Sequence, residues 1–314
     1  MSRKDQLERD GYVVISGLLS LEEATYYRTE VQKLSGVGDA DFGNKRFECA
    51  DGVSRNRQFW PLINHPKLVP AIRELLGPTA RYTQHSDLHA HRGGVGWHRD
   101  SACRTFGEGP DWDESQEPYQ VMRVAIYLQT YAESHSSLGV IPGSHRFEQL
   151  IWGREAEFWR RLIAVREIAA SKWGNLIRGE RLPHEMRLRN FPDKLIRTRP
   201  RAGSLPWPPP QSPLWIRTEP GDCVIFNQRL YHSASPMVGP KYAVFLSYAA
   251  ENRHARNHLG YYRHLRRDLN YGPLDPELAA QLDKDGLLME APDPSEITPS
   301  PNFTVPAYVL ASNP

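Results

Sequence analysis

Apolar residues along this chain fall in short blocks separated by Gly- and Pro-rich turns, with no regular alternation of strand and helix. A polar stretch over residues 3–9 predicts a short helix, and the β-branched run Tyr12-Val13-Val14-Ile15 predicts a strand after it. Ser20 with Glu23 three residues on forms a capping box, which predicts a helix running to about residue 34. Leu68, Val69, Ile72, Leu75 and Leu76 make a helical stripe closed by Gly77-Pro78.

From residue 81 the pattern changes to strands. One is expected over 82–91, ending at the turn Gly93-Gly94-Val95-Gly96, a second over 121–129, and a third over 137–141 that stops at Pro142-Gly143. Strands over 215–217 and 222–226 flank the turn Glu219-Pro220-Gly221, and the last strong strand covers 242–250. Such a series predicts a mainly β fold, an antiparallel sandwich or barrel with flanking helices. Residues 147–213 interrupt it. The segment is helical in its first half, where Phe158, Trp159, Leu162 and Ile163 make an apolar face, then Arg-rich, then stiffened by Pro206-Trp207-Pro208-Pro209-Pro210. It reads as an insertion between two strands of a single domain, 1–314, placed to cover the barrel mouth. One more helix is expected over 276–282.

Composition narrows the function classes. The longest apolar runs fall far short of the ~20 residues of a membrane span. Three cysteines, Cys49, Cys103 and Cys223, show no C-x-x-C spacing, so neither a disulfide framework nor a structural zinc site is indicated. With the lack of an apolar leader in the first residues, this sets the expectation of a cytoplasmic protein. A net charge of +2 gives no footprint for nucleic acid. The charge is unevenly spread, however, with 13 Lys/Arg against 6 Asp/Glu between residues 151 and 201. That excess fits a solvated helical face first, then a rim for an anionic small-molecule substrate, and last a nucleic-acid patch, while 8 Trp and 14 Tyr fit a flat or apolar substrate equally. Oligomeric state is not legible.

The candidate chemistry is His98-x-Asp100 with the distant His232. Two imidazoles and a carboxylate on one face of an ion form the facial triad of non-haem Fe(II), and residues two apart at a strand end point to one side. A rival exists in His85-Ser86-Asp87, which alternation would align with His89 and His91 along one face.

Four segments, in order, resemble the phytanoyl-CoA dioxygenase family of Fe(II)/2-oxoglutarate oxygenases, near its ectoine-hydroxylase-like members. They are Leu7-Glu8-Arg9-Asp10-Gly11-Tyr12 and the residues following to Glu23; Trp97-His98-Arg99-Asp100; Gly139-Val140-Ile141-Pro142-Gly143-Ser144-His145; and Glu219-Pro220-Gly221-Asp222-Cys223-Val224-Ile225-Phe226 with His232-Ser233-Ala234-Ser235-Pro236. The resemblance implies a double-stranded β-helix (a cupin-like jelly roll) and an oxygenase hydroxylating a small molecule. It further implies His98, Asp100 and His232 as iron ligands, with 2-oxoglutarate and dioxygen as co-substrates. The family's usual Arg anchor for 2-oxoglutarate, about eleven residues past the second metal histidine, is missing. Lys241 stands nine residues on, and Arg123, opening a strand, is the second candidate anchor. That departure leaves open an iron oxygenase that does not use 2-oxoglutarate; a non-catalytic jelly-roll binding protein is the reading from a different class. His145 is expected to hold its loop, and Trp97 to pack beneath the site.

Overall fold

Ten short strands build two antiparallel sheets in the computed structural model, which describes residues 1–93, 100, 117–146, 214–235, 237–265 and 269–296. In chain order they are β1 Tyr12–Ile15, β2 Phe47–Ala50, β3 Ala80–Tyr82, β4 Asp87–Ala90, β5 Val121–Tyr127, β6 Leu138–Val140, β7 Leu214–Ile216, β8 Cys223–Asn227, β9 His232–Ala234 and β10 Tyr242–Ala250. The larger sheet runs β1-β8-β5-β10-β4-β2, with β3 on β10 beside the far end of β4; the smaller runs β7-β6-β9. The insertion expected at about 147–213, together with Trp97 and His98, lies outside the described residues.

The larger sheet is buried on both faces. Along β5, Met122, Val124 and Ile126 join the helix-side core with Tyr27, Val31, Leu68, Ile72 and Leu75, whereas Ala125 and Tyr127 face the smaller sheet with Leu138, Val140, Ile216, Val224 and Phe226. Each such aliphatic side chain contributes about 1.5–3 kcal/mol on burial, so β5 is held from both sides. The Ser20–Glu23 capping box forms as the sequence indicates: Ser20 Oγ accepts from the Glu23 amide at 3.2 Å and Glu23 Oε2 from the Ser20 amide at 2.7 Å. That helix, Leu21–Ser35, ends at Gly36 in the left-handed region.

The strand expected over 82–91 is two strands. Gln84 adopts φ +48, which breaks the ladder between β3 and β4, and both pieces pair with β10, at its opposite ends. A helix at Arg253–Gly260 followed by a π-helical turn at Tyr261–Leu265 lies where the sequence showed no periodic signal. Among the described residues, no helix is long and apolar enough to cross a membrane.

Candidate functional site

Strand β9 carries His232 opposite Val140 of β6, which turns its ring into the space between the sheets against Phe226, with ring centroids 4.7 Å apart. The ring is 6 % exposed. Its Nδ1 lies 3.0 Å from the Leu230 carbonyl oxygen, and because a carbonyl only accepts, Nδ1 carries the proton. In the neutral ring Nε2 then bears the lone pair. That atom is 3.6 Å from Asp100 Oδ1. A backbone carbonyl fixing the tautomer of one nitrogen while the other faces a carboxylate is the arrangement that metal-binding histidines use. The donor set is one imidazole and one carboxylate oxygen, which suits a divalent first-row metal. His98 lies outside the described residues.

Arg123, 5 % exposed, sits beside this pair on β5. Its Nη1 donates to the His85 carbonyl at 2.7 Å and to Ser247 Oγ at 3.2 Å, Nη2 donates to Asp87 Oδ2, and Nε stands 4.0 Å from Asp100 Oδ2. Burial opposes its charge, but Asp87 and Asp100 outweigh that and its pKa is raised. On its far side Asp87 accepts from the Tyr271 hydroxyl at 3.3 Å.

The His85-Ser86-Asp87 pattern is spent in this network. His85 Nδ1 is 3.2 Å from His258 Nε2, and its ring stacks on Tyr262 at 3.9 Å. Burial lowers the His258 pKa to about 3, so this imidazole is neutral. His89 and His91 do not join a ribbon with His85. His89 packs on Phe245 with Nε2 3.6 Å from Glu48 Oε1, and His91 Nε2 meets the Tyr242 hydroxyl at 3.2 Å. His145 donates from Nε2 to the Glu8 carbonyl at 3.2 Å, tying the loop after β6 to the first helix.

Lys241, just before β10, is 3 % exposed. Its Nζ lies 5.7 Å from the centroid of the Tyr127 ring, and among the described residues no carboxylate pairs with it. Burial, and secondarily Arg92, lowers its pKa to about 8. A buried ammonium without a counter-charge is expensive, so the spot suits an incoming anion. Between the Arg123 and Tyr127 positions on β5 stands Ala125, and between Lys241 and Phe245 stands Ala243, so both strands present only methyl groups there.

Sequence reasoning reached His232, Asp100, Arg123 and Lys241, and the structure brings the first three together. It missed His258, Tyr262 and Tyr271, whose positions follow only from where the C-terminal segment docks.

The model of one protein family, described as phytanoyl-CoA dioxygenase, matches residues 7–243. Among solved structures, the chain is similar to the non-heme alpha ketoglutarate dependent epimerase SnoN from nogalamycin biosynthesis, with 17 % identity, 79 % of this chain and 81 % of that chain covered and a TM-score of 0.48. It is similar to EctD from S. alaskensis with bound Fe (16 %, 79 % and 75 %, 0.47) and to HygX from Streptomyces hygroscopicus with nickel and 2-oxoglutarate bound (14 %, 80 % and 88 %, 0.48). No curated protein matches the chain.

Proposed function

Because the chain belongs to the phytanoyl-CoA dioxygenase family, we propose that it is an Fe(II)- and 2-oxoglutarate-dependent oxygenase that hydroxylates a small molecule. In this reading His98, Asp100 and His232 hold the iron, and Lys241 receives the far carboxylate of 2-oxoglutarate. The observation that carries it is the pairing of His232 Nε2 with Asp100 Oδ1 at 3.6 Å, with Nδ1 already committed to Leu230.

Iron held by these residues would supply the redox chemistry that couples oxidative decarboxylation of 2-oxoglutarate by dioxygen to oxidation of a substrate C–H bond. The chain's own part is placement. Leu230 holds the His232 ring in one tautomer, and Phe226 fixes its plane. Lys241 offers a desolvated positive charge, worth more to a carboxylate there than in water. The apolar lining of Ala125, Val224, Phe226 and Ala243 keeps water from the space between the sheets.

Arg123 has its fork engaged by Asp87, His85 and Ser247, which favours Lys241 over Arg123 as the anchor. In the same reading the basic segment at about 147–213 serves substrate capture, and the small-molecule substrate takes its place beside the metal. Fe(II)- and dioxygen-dependent release of succinate from 2-oxoglutarate tests the reading. An iron oxygenase of another type consumes dioxygen without succinate, and a binding protein does neither.

A further inference from the structure

The two oxygens of the Asp100 carboxylate face different neighbours. Oδ1 faces His232 Nε2 at 3.6 Å, and Oδ2 faces Arg123 Nε at 4.0 Å. Arg123 cannot swing away from it, because its other two nitrogens are tied to Asp87, the His85 carbonyl and Ser247. Ser247 is itself fixed by Gln228 Nε2 at 3.1 Å. Asp87 is held from behind by the Tyr271 hydroxyl, and His85 by His258 and Tyr262. Tyr271, His258 and Tyr262 all lie beyond residue 243, where the family match ends.

We propose that Arg123 is a positioning residue for Asp100, held in place by Asp87 and the C-terminal segment, so that one carboxylate oxygen is reserved for the metal and the other is kept off it. The inference rests on the metal assignment proposed above. Its physical basis is charge and shape. Asp87 takes the Nη2 side of the guanidinium, so Arg123 turns its Nε edge toward Asp100. Only the planar fork of arginine can serve three directions at once, whereas a lysine at this place is a point charge. A free carboxylate rotates between one-oxygen and two-oxygen binding, and a neighbour on one oxygen removes that freedom. The same neighbour lowers the entropy that Asp100 must lose when a metal arrives.

The test is anaerobic titration of the metal-free full-length protein with Co(II), following affinity and the visible absorption of the bound ion. Arg123→Lys retains the buried charge pair, and Arg123→Gln/Asp87→Asn removes both charges together, so a failure to fold in one does not hide the result. Each is expected to melt as a cooperative unit, to bind Co(II) about 10- to 100-fold more weakly, and to show an altered absorption spectrum at saturation. Tyr271→Phe should give a smaller loss in the same direction. A folded Arg123→Lys protein with wild-type affinity and spectrum would overturn the positioning role. Asp100→Ala separates the two levels. If it loses Co(II) while the Arg123 variants do not, only the positioning role fails; if it keeps Co(II), the metal assignment fails with it.

Discussion

Lys241 lies over the face of Tyr127, its Nζ 5.7 Å from the ring centroid, in the space between the two sheets. Nothing acidic among the described residues balances it, which is the basis for treating it as a carboxylate receptor. Lys241→Met is expected to raise the 2-oxoglutarate KM by roughly 30- to 150-fold, the equivalent of about 2–3 kcal/mol for one charge-assisted hydrogen bond. Lys241→Arg should rescue in part, since the charge returns on a longer, forked side chain. An unchanged KM in the Met variant would remove Lys241 from the site, and a rise in Arg123→Ala measured with the iron site saturated would move the anchor there.

The same lysine makes co-substrate binding depend on pH. Its pKa is lowered by burial to about 8, so the ammonium is complete below that pH and is lost as pH rises through it. Affinity for 2-oxoglutarate should therefore be full below about pH 8 and fall above it. The sign for stability is opposite. Between about 8 and the ordinary lysine value the unfolded chain holds a proton that the folded chain has released, so this group's contribution to stability grows with pH. Measuring the KM on either side of pH 8 in the wild type and in Lys241→Arg checks the assignment, because arginine stays charged throughout.

Replacing His98, Asp100 or His232 with Ala is expected to abolish stoichiometric Fe(II) binding, as two remaining ligands hold the ion poorly. His85→Ala should keep one iron per chain, because that imidazole is committed to His258 and Tyr262. Metal analysis after anaerobic loading and desalting distinguishes them, and iron lost from His85→Ala but kept by His98→Ala would reverse the choice of motif.

Gly221 provides a test of the scaffold apart from the chemistry. It has φ +86, and a Cβ there would stand 2.4 Å from the Leu19 carbonyl oxygen. Its amide donates to Tyr127 at 2.9 Å and its carbonyl accepts from Leu19 at 3.1 Å, so the turn joins β5 to the segment after β1. Gly221→Ala should cost at least about 1–2 kcal/mol from the backbone alone. A thermal melt of the metal-free protein reads it, and an unchanged melting temperature would mean that the turn relaxes.

The parts of the fold written locally were legible in the sequence. The Ser20–Glu23 cap, the stripe from Leu68 to Leu76 and the β-branched strands each depend on residues within a few positions of one another. Strand β2 was not visible, because Phe47-Glu48-Cys49-Ala50 has little strand propensity and is held by its ladder to β4. The helix Arg253–Gly260 was missed for a related reason. Its buried face carries His254 and His258 beside Ala255 and Leu259, so half of its inward stripe reads as polar. Of the site, His98-x-Asp100 and His232 were legible as a motif. That His85-x-Asp87 is taken up by Arg123, His258 and Tyr262 is a matter of tertiary contact, as is the isolation of Lys241 from any carboxylate among the described residues.

The most direct test of the central assignment needs no substrate. Anaerobic addition of Fe(II) and 2-oxoglutarate to the full-length protein should produce a visible charge-transfer absorption from iron to the chelated 2-oxo acid. That absorption should vanish in Asp100→Ala and His232→Ala, and should require far more 2-oxoglutarate in Lys241→Met. A folded wild-type protein that binds Fe(II) yet shows no such absorption at saturating 2-oxoglutarate would contradict the account.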